Sequence, residues 1–274
     1  ALAYAAAKAK EVLGKMPDHI TMRCSGNIIK NVKGVKVPNS GGMKGVEAAA
    51  VLGITGGDPS QALEVLEHVT DREIDEAEKL LKAGFCDCVL KDDVANLYKE
   101  KKEYCQEREK TPDKSLLNLE DIITFANEVQ ITDVEKVLGR QIKYNTRIAE
   151  EGLRNPWGAQ VGRVVLEEFG EDVKWRAVAK ASAGSDARMS GCALPVIINS
   201  GSGNQGMTCS LPVIEFGKEL KKSKEEIYRA LCVSNLVALN QKKYIGSLSA
   251  YCGAVCAAAG AGAGITYLCG GTLE

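Results

Sequence analysis

Residues 181–206 read ASAGSDARMSGCALPVIINSGSGNQG. Ser185, Asp186, Arg188 and Cys192 come first. An apolar run, Ala193–Ile198, follows, and the stretch closes on a polar glycine loop, Asn199-Ser-Gly-Ser-Gly-Asn-Gln-Gly206. Helical periodicity predicts Asp172–Ala183 before this stretch and Leu211–Leu220 after it, so the stretch joins two helices. A loop with so little side-chain bulk exposes several backbone N–H groups and suits a small anion such as a carboxylate. A tight structural turn has the same composition, and the loop alone does not decide between them. Asp186 and Arg188 can pair with each other, or Arg188 can hold a carboxylate bidentately. Charged groups beside an apolar run need a partner or a ligand in either case.

Working outward, helix starts are easy to read. Asp58-Pro59-Ser60-Gln61 puts a cap before a proline at the first helical position. Thr70-x-x-Glu73, Thr132-x-x-Glu135 and Ser223-x-x-Glu226 are capping-box patterns. The pattern predicts further helices at Ala1–Leu13, Gly42–Leu52, Ser60–His68, Asp71–Ala83, Leu119–Asn127, Val134–Glu151, Val161–Glu168, Lys224–Lys242 and Ser249–Leu268. Strand signals are fewer: Ile20–Cys24, Asn27–Lys30 and Val35–Val37 are short and broken by glycine. Cys86–Leu90 and Val94–Tyr98 read as a hairpin across Lys91-Asp92-Asp93. The charged Lys99–Lys114 stretch reads as a linker or insertion. The fold class is therefore α+β and predominantly α-helical, with a small β element in the N-terminal half. Residues 1–118 read as an N-terminal α+β region and 119–274 as a helical catalytic region.

Composition limits the function. The chain has 274 residues, 45% of them hydrophobic, enough for a substantial core. Net charge is -1. The lysines of Lys99–Lys102 and Lys221–Lys224 are interleaved with or followed by glutamates, so they read as solvated helix faces rather than a nucleic-acid surface. Aromatic residues are 5%, too few for base-stacking platforms. The apolar run Ala254–Leu268 is short for a membrane span and broken by Gly260, Gly262 and Gly264, which predicts a closely packed buried helix. The chain's first residues carry no signal-peptide pattern. Ten cysteines without one predict a cytoplasmic protein with reduced thiols. No paired zinc-site spacing occurs, so most cysteines read as small buried hydrophobes.

Three further segments carry candidate chemistry. In Cys24-Ser-Gly-Asn-Ile-Ile-Lys-Asn31, Lys30 can pair with a substrate carboxylate, and Asn27 and Asn31 can donate hydrogen bonds. Ser40-Gly41-Gly42 precedes an alanine-rich helix, whose positive end favours an anion. For both, an ordinary turn and helix cap is the stronger reading on the pattern alone. In Tyr244-Ile-Gly-Ser-Leu-Ser-Ala-Tyr-Cys-Gly-Ala-Val-Cys256, Cys252 and Cys256 lie one helical turn apart and can share a metal; for Cys256, close helix packing is preferred.

Taken together, CSGNIIKN, VPNSGG, LGITGGDP, RQIKYNTRIAEEGLRNPWGAQVG, SDARMSGCALPVIINSGSGNQG and GSLSAYCGAVCAAAGAGAGITYLCGG resemble, in order, the L-cysteine desulfidase family. That family lies in the superfamily of the iron–sulfur L-serine dehydratase alpha chain. The resemblance implies a carbon–sulfur lyase that eliminates hydrogen sulfide from L-cysteine, giving pyruvate and ammonia, with an oxygen-sensitive [4Fe–4S] cluster as Lewis acid. It implies Cys252 as a cluster ligand. It also implies substrate contacts at Asn199, Ser200, Ser202, Asn204 and Gln205, and at Lys30 and Asn31; Ser185 and Arg188 join these as candidates. The family's catalytic cysteine is expected before Ala1 and its other two cluster cysteines after Glu274, so the cluster is expected to be incomplete or absent in this chain. Two other readings stay open: L-serine dehydration by the same chemistry, and a cluster-free protein that binds a small amino acid. The expected partner is a small amino-acid substrate, with no nucleic acid and no membrane; a homo-oligomer is possible.

Overall fold

The computed structural model describes residues 1–91, 116–245 and 252–273. The predicted strand Val94–Tyr98 and the Lys99–Lys114 stretch lie outside the described residues. The chain divides into two compact units: 1–96 with 188–195, and 97–187 with 196–274.

The first unit holds α1 (Leu2–Leu13), β1 (Ile20–Cys24), α2 (Gly26–Val32), α3 (Gly45–Gly56), α4 (Asp71–Lys82) and β2 (Cys86–Leu90). Its core is the contact of α1 with α3, where Ala3, Ala6 and Ala7 meet Ala49, Ala50 and Leu52. Gly53 makes this possible: a Cβ there would sit 2.3 Å from the carbonyl oxygen of Ala3. Strand β2 pairs with β1 in parallel, Ile20 opposite Cys86 and Cys24 opposite Leu90. Parallel partners need a crossover, and α2, α3 and α4 supply it.

Local chemistry explains most helix starts. Glu73 accepts from the Thr70 N–H at 2.8 Å, the back-reaching bond of a capping box, and from the Thr70 hydroxyl at 2.8 Å as well. Asp58 accepts from the Ser60 N–H at 2.9 Å. Four expectations are corrected. Val35–Val37 forms no strand; Lys36 makes a single antiparallel bridge to Lys44. Asn27–Lys30 is helix α2 rather than strand, because the Ser25 hydroxyl accepts from the Ile28 N–H and caps it. The predicted helix Ser60–His68 is a 3₁₀ segment, Pro59–Glu64, interrupted at Ala62 with φ 50°. Thr132-x-x-Glu135 is no cap: the helix already starts at Ile131, and Glu135 instead accepts from Lys224 at 2.6 Å.

The second unit is helical: α5 (Leu119–Glu128), α6 (Ile131–Arg154), α7 (Val161–Phe169), α8 (Val173–Met189, whose last two residues fall in the first unit), α9 (Gly203–Glu219), α10 (Lys224–Ile245), a π-helical segment Cys252–Ala257 and α11 (Ala258–Leu268). Helix α9 is buried along most of its length and packs against α6, α10 and α11. Its buried Glu215 is held by Lys180 at 2.6 Å, Lys218 at 3.4 Å and Arg176 at 3.8 Å. Ser223 and Glu226 complete the capping box of α10, with N–H bonds of 2.8 and 3.2 Å. The glycine-rich helix α11 is closely packed on one face, through Gly260, Ala261, Gly264 and Leu268, whereas Gly262 is exposed, so the expected burial holds for that face. Among the described residues no helix is long and apolar enough to cross a membrane. The chain is thus predominantly α-helical, and its described residues hold one small two-stranded parallel sheet.

Cys24, Cys86, Cys192, Cys209, Cys232 and Cys256 are buried, Cys88 is half-buried and Cys269 is exposed. Burial pushes the thiols of Cys24, Cys86 and Cys232 up to about 11 and that of Cys209 up to about 12. The thiolate is the nucleophile, so these groups are inert near neutrality. Brief iodoacetamide treatment of the native protein at pH 8 is therefore expected to label Cys269 and spare Cys209. Equal labelling of both in peptide mass spectra would contradict that.

Candidate active site

The glycine loop of the opening stretch lies wholly within the second unit. Asn199 and Ser202 exchange backbone hydrogen bonds, the Asn199 N–H to Ser202 O at 3.1 Å and the Ser202 N–H to Asn199 O at 3.0 Å. The two residues between them are left-handed, Ser200 at φ 48° and Gly201 at φ 79°. A pair of left-handed central residues makes a tight turn of the kind that glycine and a few small polar residues tolerate. Ser202 then caps α9, its hydroxyl accepting from the Gln205 N–H at 3.3 Å. The loop is thus a tight turn that delivers the chain directly to the positive end of a 17-residue helix.

Side-chain amides hold this turn. Asn199 Nδ2 donates to Asn235 O at 3.1 Å and to Asn235 Oδ1 at 3.0 Å. Asn199 Oδ1 accepts from Gln205 Nε2 at 2.8 Å. Gln141 and Asn235 exchange a reciprocal amide pair, both bonds 2.9 Å. One helical turn along α6, Asn145 clasps the backbone just before the loop. Its Oδ1 accepts from the Ile197 N–H at 2.8 Å, and its Nδ2 donates to Ile197 O at 3.2 Å and to Ser210 Oγ at 3.1 Å. Asn199, Ser202, Gln205, Asn145 and Ser210 are buried, and buried polar groups joined by this many hydrogen bonds make one rigid arrangement.

The loop residues differ in burial and in the partners their side chains hold. Both Nδ2 hydrogens of Asn199 are used within the protein, so Asn199 acts as a clamp. Ser202 Oγ and Gln205 Nε2 are likewise engaged in the cap and the turn. Ser200 and Asn204 are half-buried. Ser185 lies half-buried on α8. Next to it, Asp186 accepts from the Val161 N–H at 2.9 Å and caps α7, a structural task. Lys30, Asn31 and Arg188 belong to the first unit. Asn31 Nδ2 donates to Asn27 Oδ1 at 3.0 Å along α2. The Arg188 guanidinium is half-buried, and desolvation lowers its pKa from the ordinary value.

Gln141, Asn145 and Asn235 escape a reading for catalytic motifs. A signal was present: on the buried face of α6, Leu138, Gln141, Asn145, Ile148, Ala149 and Gly152 recur at helical spacing, with two amides in an otherwise apolar stripe.

The turn connects to the segment that carries Cys252. Cys209 Sγ donates to Asn235 Oδ1 at 3.4 Å, and Cys209 packs with Ala238 and Ala257. Ala257 ends the π-helical segment that Cys252 opens. Such segments recur at functional sites. The Cys252 side chain lies outside the described part of the structure. Among the described residues no three histidine, cysteine, aspartate or glutamate side chains form a group able to hold a metal ion. Cys256 is buried in the packing, and Cys269 is exposed near the end of α11. The described side chains therefore do not assemble the three thiolates that an iron–sulfur cluster with one open iron requires.

A family model described as "Serine dehydratase alpha chain" matches residues 60–274. A UPF0597 protein of Lachnoclostridium phytofermentans is 52% identical, over 100% of this chain and 73% of its own length. UPF0597 proteins of Desulfitobacterium hafniense and Finegoldia magna are 47% and 43% identical, over 100% and 97% of this chain and 71% and 72% of their own lengths. No solved structure matches the chain. The match takes in the clamped turn, α9 and the Cys252 segment alike, and the chain belongs to the serine dehydratase alpha chain family.

Proposed function

We propose that this protein is a lyase that eliminates hydrogen sulfide from L-cysteine. The Cα–H and Cβ–S bonds break, hydrogen sulfide leaves, and the aminoacrylate takes up water to give pyruvate and ammonia. The observation that carries this reading is the clamped Asn199–Ser202 turn at the N-terminus of α9, in a chain of the serine dehydratase alpha chain family.

In this reading the positive end of α9 and the loop N–H groups hold the substrate carboxylate. Ser200 and Asn204 make side-chain contacts with the substrate, while Asn199, Ser202 and the Nε2 end of Gln205 keep the turn in place. Holding the carboxylate fixes which way the Cα–H bond faces, and that orientation is a large part of what a binding site contributes to an elimination. A base then removes the α-proton. Substrate roles for Lys30, Asn31, Ser185 and Arg188, and a [4Fe–4S] cluster with Cys252 among its ligands, are proposed from the sequence resemblance.

The family description itself favours a second substrate, L-serine, with water leaving in place of sulfide. The two amino acids differ by one atom, so turnover separates them. Protein purified without air should release sulfide and pyruvate from L-cysteine, with kcat/KM at least about tenfold above that for L-serine. Pyruvate from L-serine without sulfide from L-cysteine would replace the desulfidase reading by serine dehydration. Saturable binding of either amino acid without product would leave a small-amino-acid-binding protein.

A further inference from the structure

Gln205 carries an unpartnered carbonyl oxygen in the protein interior. The residue is 0% exposed, and Oε1 has no hydrogen-bond partner among the described residues. Such an acceptor is costly to keep, and native proteins rarely keep one without a use.

The amide network explains why the oxygen, rather than the NH2 group, is left over. Asn235 Nδ2 donates to Leu231 O at 2.8 Å. A backbone carbonyl can only accept, so this bond fixes which way the Asn235 amide is turned. Asn235 Oδ1 is then the acceptor offered to Asn199. Asn199 Nδ2 also donates to the Asn235 carbonyl, a second group that can only accept. Asn199 must therefore present Oδ1 to Gln205, and Gln205 must answer with Nε2. Oε1 is what remains. Gln141 locks the same sense from α6 through its reciprocal pair with Asn235. Two backbone carbonyls of α10 thus set the polarity of a three-amide relay that ends at the glycine loop.

We propose that Asn235 is a positioning residue that sets this relay so that Gln205 Oε1 accepts a hydrogen bond from the ammonium group of the substrate amino acid. The inference rests on the amino-acid reading above and deepens it. An ammonium donor to an amide oxygen makes a charge-assisted bond, stronger than one from a neutral donor. A ligand without that donor leaves Oε1 unpaired, so the relay selects amino acids over simple carboxylates.

The test is binding rather than turnover. L-Alanine has the ammonium and no leaving group; propanoate lacks the ammonium as well. Dissociation constants for both are measured by calorimetry on the whole protein, its Asn235→Ala variant and its Gln141→Leu variant. The parent should prefer L-alanine by tenfold or more. Asn235→Ala keeps the backbone carbonyl that Asn199 Nδ2 also meets, so it should lose a clear part rather than all of that preference, with the weakening confined to L-alanine. Gln141→Leu removes only the outer strut and should lose part of it, which keeps the test decisive if Asn235→Ala fails to fold. Equal affinity of the parent for both ligands, or an undiminished preference in a folded variant, overturns the relay while leaving amino-acid binding intact. Binding of neither ligand, with no turnover of L-cysteine or L-serine, defeats the amino-acid reading itself and the inference with it.

Discussion

Gly206→Ala lowers stability by about 3 kcal/mol, and the bulkier Gly206→Val by more. A Cβ at Gly206 would lie 2.1 Å from the carbonyl oxygen of Ile197 and 2.9 Å from Cα and C of Ile198. All three are backbone atoms, so no side-chain rotation relieves the clash. The Ile197 backbone is also clasped on both its N–H and its carbonyl by Asn145. Either α9 retreats, or the clasp opens and two buried hydrogen bonds are lost at about 1 kcal/mol each. A urea titration measures the effect as a fall in midpoint at constant slope. A midpoint within experimental scatter of the parent would show that the turn is not held against α9 as described.

Alanine at Gly260 and alanine at Gly262 should have opposite signs, although the two positions lie on one helix. A Cβ at Gly260 would meet the Ser234 carbonyl oxygen at 2.4 Å and Ala238 at 3.1 Å, across the contact of α11 with α10. That carbonyl cannot move without disturbing α10, and the Ser234 hydroxyl is itself bonded to Cys209 O at 2.5 Å. Gly260→Ala is expected to cost about 2–3 kcal/mol. Gly262 has nothing within 4 Å of a Cβ, so alanine there removes unfolded-state freedom at no steric cost. Gly262→Ala should stabilise by about 0.5–1 kcal/mol. Thermal or urea unfolding of the two variants side by side checks the pair. The same sign for both would contradict the close approach at Gly260.

Elements whose signal is local were readable from the sequence. The caps at Thr70 and Ser223 have their partners within a few residues, and the small residues of α11 show as a local composition, so sequence order reveals both. Helix α2 was misread because Ile28-Ile29 favours a strand by propensity, whereas the Ser25 cap decides for a helix. The partner of β2 was not legible, since pairing with β1 joins residues more than sixty positions apart. The glycine segment stands out in the sequence, but only Asn199–Ser202 is turn: Gly203–Gly206 already form the first turn of α9, and the composition alone fits an anion site and a tight turn equally. The structure shows a tight turn that ends at a helix N-terminus; anion binding there belongs to the proposed function. Gln141, Asn145 and Asn235 were missed because each looks like an ordinary polar helix position. Their role depends on three helices meeting, and no spacing along one helix reveals that.

The most direct measurement for the account is product stoichiometry from L-cysteine, with protein purified and assayed without air. Sulfide, pyruvate and ammonium are quantified from the same reaction. The account predicts equal amounts of all three, in numbers of turnovers far above the protein present. Sulfide without matching pyruvate, or no sulfide while L-cysteine binds, would contradict α,β-elimination as the activity of this chain's family site.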